Sequence, residues 1–122
     1  MILIEYDKCS TCKNAKKYLN NNIIKYDIRE VNDATPTKDE LSNWITKYNI
    51  SIDKLFNTSG LVYRELGLKD KLKSMDIDDK LSLLSSNGML IKRPLLISDD
   101  KMLVGFKIKE WDEYFLNRLI KK

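Results

Sequence analysis

The sequence predicts an α/β fold, a mixed four-stranded sheet with helices on its faces. Three observations predict it. The first 28 residues run apolar, helical, apolar, the order of a βαβ unit. Residues 36–88 then carry a succession of helical patterns with their own caps. Near the end, two short apolar runs flank "DDK" (99–101) ahead of a last amphipathic stretch. The order is therefore β-α-β, helices, β-β-α, with the helical segment inserted between the two sheet-forming halves.

Each element has a local reason. "ILIEY" (2–6) is apolar and β-prone and stops at Asp7. From Ser10 to about Asn22, Cys12, Ala15 and Leu19 recur at spacings of three and four with lysines outside, and "NNN" (20–22) ends the helix. "IIKYDI" (23–28) reads as the second strand. Thr37, after Pro36 and three residues before Glu40, opens the next helix with a capping box, and Leu41, Trp44, Ile45 and Tyr48 form its apolar face. A helical turn over 51–60, a pair of short turns over 61–72 broken near Gly67, and a helix over 76–88 follow. "PLLIS" and "KMLVGF" are the hairpin strands, and Ile108, Trp111, Phe115 and Leu119 make the stripe of the last helix.

Composition bounds the function. A chain of 122 residues is enough for one compact domain, 1–122. The formal net charge of +4 permits an anionic substrate or acidic partner and requires neither. Lysines are spread over most segments and no recognition helix or basic stripe stands out, so no direct nucleic-acid contact is expected. No apolar run approaches the ~18 residues of a membrane span, and the start lacks a basic leader. The expectation is a cytoplasmic protein, where two cysteines serve catalysis or redox sensing more readily than a structural disulfide. The absence of histidine removes Cys-His pairs, histidine acid–base chemistry and histidine metal ligands.

The two cysteines stand in "EYDKCSTCKNAKKYL". A CxxC that follows a strand and opens a helix puts Cys9 at the helix N-terminus, where unpaired N–H groups and the helix dipole favour thiolate. Cys12 lies three residues on, nearly above it. Cys9 is then the nucleophile and Cys12 the resolving thiol, with Lys8 and Lys13 favouring the anion. Two other readings stay open: half of an intermolecular zinc site, since one chain lacks the roughly four ligands zinc needs, or two inert buried thiols. A second constellation is "IKRPLLIS". Arg93 could fork onto an oxyanion or hold the thiolate beside a cis Pro94, or be a surface arginine before a trans proline at a strand start.

"EYDKCSTCKNAKKYL", "YRELGL" and "IKRPLLISDDKMLVGF", in this order, resemble the arsenate reductase (ArsC) family, which includes the Spx-type regulators. The resemblance covers essentially the whole chain. It implies a thioredoxin-like fold with an inserted helical segment. It places Cys9 on the redox-active cysteine, Cys12 on the second cysteine of the Spx-like branch, and Arg93 and Pro94 on the arginine and cis proline. Asp7 stands where members commonly have proline. Lys8, Ser10, Thr11 and Pro94 are the expected substrate-binding positions. No bound cofactor or metal is expected. The activity implied is thiol-disulfide exchange, with Cys12 or an external thiol (glutathione, bacillithiol, glutaredoxin or thioredoxin) resolving the intermediate. A Spx-like regulator contacting RNA polymerase, with CxxC as its switch, is the second reading. Such regulators are similar in a glycine within the middle insert, and "NWITKYNISIDKLF" has none. For arsenate reduction the family uses three arginines. Asn57 and Gly105 stand at two of these positions and only Arg93 remains, with Lys92 or Lys107 as partial substitutes, so weak arsenate reduction is expected.

Overall fold

The computed structural model describes the backbone of residues 1–121 and the side chains of residues 1–118. β1 (Ile2–Glu5) leads into α1 (Ser10–Asn21) and β2 (Asp27–Glu30). The insert holds α2 (Lys38–Lys47), α3 (Leu61–Glu65), α4 (Leu68–Lys71) and α5 (Ile77–Ser86), with 3-10 turns at Ile52–Leu55, Leu72–Ser74 and Gly88–Leu90. β3 (Leu95–Ile97), β4 (Met102–Val104) and α6 (Ile108–Lys121) complete the chain. The sheet order is β2-β1-β3-β4, with β1 and β2 parallel and the other pairs antiparallel. This is the mixed four-stranded sheet that the sequence predicts.

Strand alternation divides the core between the two faces. Leu3, Leu96 and Leu103 pack with Ala15, Leu19 and Trp111 on the side of α1 and α6. Ile4, Leu95 and Met102 pack with Leu41, Leu55, Phe56, Leu84 and Ile91 of the insert and its flank. Each such large side chain taken out of water contributes roughly 1.5–3 kcal/mol. Both faces are thus covered, and the ends of the strands are left for chemistry.

The local signals are realised in the insert. Thr37 Oγ1 accepts the Glu40 N–H at 3.1 Å, and Glu40 Oε1 accepts the Thr37 N–H at 3.0 Å, a complete capping box. Asp76 caps α5 by accepting the Asp79 N–H at 2.8 Å. Gly67, at φ 63°, separates α3 from α4 in the left-handed region that glycine tolerates.

Two expectations are corrected. The second strand is not 23–28 but Asp27–Glu30. Ile23 takes φ 56° and the Ile24 N–H still donates to Leu19 O at 3.0 Å, so the chain is closing α1 where the apolar pair suggested a strand. The stripe of α6 also differs. Trp111 is fully buried and Phe115 partly so, but Ile108 is 59% exposed at the first turn, before the helix reaches the sheet. Leu119 lies outside the residues whose side chains are described. Among the described residues no helix is long and apolar enough to cross a membrane.

Candidate thiol site

The loop after β1 delivers Cys9 to the start of α1. The Cys9 N–H donates to Tyr6 O at 3.0 Å, and Cys9 has the extended backbone of a helix N-cap, φ −89° and ψ 122°. Its carbonyl accepts the Lys13 N–H at 3.1 Å, the first bond of the helix. Cys9 is half-buried, whereas Cys12 is fully buried on the helix face that also carries Ala15 and Leu19. Both thiols are free.

The two sulfurs are electrostatically opposite. Burial works against a Cys9 thiolate, but the backbone N–H of Cys12, the Cys12 thiol, the Thr11 N–H and the Arg93 charge together hold Cys9 below its ordinary value. Cys12 is pushed up to about 12 by burial, against the help of the Tyr6 N–H and with added pressure from the charges of Cys9 and Glu5. Glu5 is a residue the sequence reading passed over as part of a strand. It follows Leu3 on the face of β1 turned to α1, is 3% exposed, and its Oε1 lies 2.7 Å from Lys16 Nζ. The pair raises Lys16 and puts a buried carboxylate in the layer that holds Cys12.

Arg93 enters from the other half of the fold. The Arg93–Pro94 peptide is cis, and the Pro94 carbonyl accepts the Gly105 N–H at 2.8 Å. The guanidinium lies over Tyr6, 5.1 Å from the ring centroid, and Nη1 reaches Ile91 O at 3.4 Å. Arg93 Nε is buried with no hydrogen-bond partner among the described residues, a donor left for something else to satisfy.

Cys9, Thr11, Asn57, Lys92, Arg93 and Lys107 line one cavity of about 260 Å³. Three of these are cations, and among the described residues no carboxylate lines it. Gly105 explains how Lys92 fits. A Cβ there would lie 3.4 Å from Lys92 Cε, so the lysine stem runs over the glycine. Asn57, Gly105, Lys92 and Lys107 thus line the same cavity as Cys9. Ser59 also lines the cavity and was missed, since a loop serine in "NTSG" carries no sequence signal of its own. Of the other expected positions, Lys8 and Ser10 are exposed and line no part of the cavity, because the helix start turns them to solvent. Pro94 is buried and is not among the residues that line it. Lys13 is exposed on the outer face of α1. Among the described residues no three His, Cys, Asp or Glu side chains cluster to hold a metal ion.

The model of the ArsC family matches residues 5–114, from the strand that precedes the cysteines into the last helix. The chain belongs to the ArsC family. It is 44% identical over 108 residues to YusI of Bacillus subtilis, covering 88% of this chain and 92% of YusI. It is 26% identical over 102 residues to the global transcriptional regulator Spx of Staphylococcus epidermidis, covering 84% of this chain and 76% of Spx. Among solved structures, a putative ArsC family related protein from Bacteroides fragilis superposes with a TM-score of 0.87 at 45% identity, covering 92% of this chain and 94% of that one. The thioredoxin-like fold implied by the resemblance is thereby established for this ArsC family member.

Proposed function

We propose that the protein is a thiol-disulfide oxidoreductase that reduces anionic disulfides through Cys9. The observation that carries this reading is the split between the two thiols beside a cationic cavity: Cys9 held toward thiolate, Cys12 held as thiol. The Cys9 thiolate attacks one sulfur of the substrate disulfide. A Cys9–substrate bond forms, the substrate S–S bond breaks, and the released thiolate takes up a proton. Cys12 then attacks the Cys9 sulfur, its proton passing to the second leaving thiolate. The substrate leaves as a dithiol, and the protein is left with a Cys9–Cys12 disulfide, two electrons poorer. An external thiol such as glutathione, bacillithiol, glutaredoxin or thioredoxin regenerates it.

The test is a paired assay of the purified protein, following reduction of a small disulfide and of arsenate with each of these reductants. Disulfide turnover lost in Cys9→Ser, with arsenate turnover weak, supports the reading. Efficient arsenate reduction with no disulfide turnover overturns it, and shows that Lys92 and Lys107 do the work of the missing arginines. A redox-switched regulator that contacts RNA polymerase is the second reading, supported by the 26% identity to Spx. Redox-dependent retention of RNA polymerase on the immobilised protein, without turnover, would favour it.

A further inference from the structure

A larger cleft, of about 580 Å³, opens beside the cysteine cavity and shares Lys92, Val104 and Lys107 with it. One wall is the segment 48–58 of the insert, and the other is β4. β4 is the last strand of the sheet, so one edge of it has no neighbouring strand among the described residues. The Ser98 N–H donates to Lys101 O at 2.9 Å and the Gly105 N–H to Pro94 O at 2.8 Å, with Leu96 opposite Leu103 between them. The backbones of Lys101, Leu103 and Gly105 thus serve β3. By antiparallel alternation, the N–H and C=O groups of Met102 and Val104 point outward along the free edge, toward the cleft they line. No hydrogen bond uses them among the described residues. Such groups usually find a partner or are shielded from one.

The charges of the cleft are unevenly satisfied. Asp53 is bound by Lys80 at 2.8 Å. Asp100 accepts from Tyr114 at 2.7 Å and from Ser98 at 3.1 Å. Glu110 lies 4.0 Å from Lys107. Lys54, Lys92 and Lys101, in contrast, have no carboxylate within ion-pair distance among the described residues. Asp100 keeps its own charge, since its partners are neutral hydroxyls. But four lysines line the cleft against three carboxylates, one of them already held by Lys80. The cleft therefore offers an unused strand edge and an excess of ammonium groups, and it leads to Cys9.

We propose that the cleft binds an extended, acidic segment of a disulfide-bearing protein as an added strand on β4, which carries the segment's cysteine past Val104 to Cys9. This names the substrate class of the thiol site and rests on the exchange reading above. Ladder bonds to Met102 and Val104 would supply affinity that any sequence can use, and the lysines would select acidic flanks. A small anion would fill the cysteine cavity and leave both features unused. Four residues of added strand would span about 13 Å.

The test uses octapeptides with a central cysteine activated as its 2-pyridyl disulfide, so that release of pyridine-2-thione reports attack by Cys9. Hydroxyethyl 2-pyridyl disulfide serves as the small control. Peptides with aspartate and glutamate flanks should react with kcat/KM about tenfold above the lysine-flanked peptide, a difference that falls as salt rises. N-methylation of alternate backbone nitrogens in the acidic peptide should remove most of that gain. Lys54→Glu with Lys101→Glu should reverse the preference while leaving the small control unchanged. Equal rates for acidic and basic peptides overturn the proposal. So does an acidic preference that survives N-methylation, which would mean capture of a single anionic group in the cysteine cavity. If the unmodified protein fails even with the small control, the exchange reading falls first and the cleft loses its role with it.

Discussion

Gly105→Ala isolates the joint between the last strand and the thiol site. Gly105 has φ +78°, a conformation that costs an L-residue roughly 1–2 kcal/mol. The backbone cannot relax freely, because the Gly105 N–H is bound to Pro94 O at 2.8 Å and its carbonyl accepts Trp111 Nε1 at 3.2 Å. Alanine restricts the unfolded chain as well, which returns about 0.4–1 kcal/mol. The net expectation is a loss of about 1 kcal/mol, or a urea midpoint lower by about 0.5 M at a slope near 2 kcal/mol/M. The new methyl group would also meet Lys92 Cε at 3.4 Å, a contact the flexible stem can yield to by moving its ammonium. Urea unfolding of Gly105→Ala, Lys92→Met and the double variant separates the two effects. Backbone strain should persist in the double variant. Exchange with an anionic disulfide should drop in each single variant and drop little further in the double one, because both act on the same lysine. An alanine variant as stable as the parent, or more so, would refute the strain assigned to this position. Additive losses in rate would refute the link to Lys92.

Three further expectations rest on other parts of the molecule. In Cys12→Ser, alkylation of Cys9 should level off below the ordinary thiol range of about 8.5, and Arg93→Ala should move that plateau upward; in Cys9→Ser, alkylation of Cys12 should still be rising at pH 10. Glu40 is held down to about 2 by the two hydrogen bonds from Arg29, 2.6 and 2.7 Å long, against the cost of burial. Its contribution is therefore complete above the ordinary value of 4.5 and is lost as pH falls toward 2; the pair is partly exposed, so about 1 kcal/mol is expected, and Glu40→Gln should flatten the acid limb of stability over that window. Ile23 is a β-branched residue at φ 56° and 90% exposed, so Ile23→Asn should stabilise the fold by about 1 kcal/mol, read as a higher urea midpoint.

What was legible in the sequence was mostly local. The capping box at Thr37 and Glu40, the break at Gly67, the hairpin around "DDK" and the cysteines at a helix start each depend on residues a few positions apart. The second strand misled because apolar Ile23 and Ile24 close a helix, while "DIRE" pairs as an exposed edge with too little apolar surface to announce itself. The site was legible only in its centre. Cys9, Cys12 and Arg93 follow from spacing and resemblance. Glu5 hides in a strand pattern, and its role depends on Lys16 across a layer. The stem of Lys92 over Gly105 is a contact between segments that only the closed sheet brings together. Stripe reasoning failed at Ile108 for a similar reason: periodicity gives the direction of a helix face but not the turn at which that face meets the sheet.

The complete burial of Cys12 makes the protein its own stability gauge. A thiol that solvent never reaches in the folded chain is labelled only through opening of the structure around it. When closing is fast relative to labelling, the labelling rate divided by that of an unfolded reference peptide is the opening constant itself. In a Cys9→Ser background the signal would come from one atom, seated between β1 and α1. The free energy of opening that layer could then be followed along a denaturant series with a thiol reagent alone and no engineered reporter. A rate insensitive to denaturant would mark a local breathing of α1, and one that tracks global unfolding would make the first helix part of the last structure to yield.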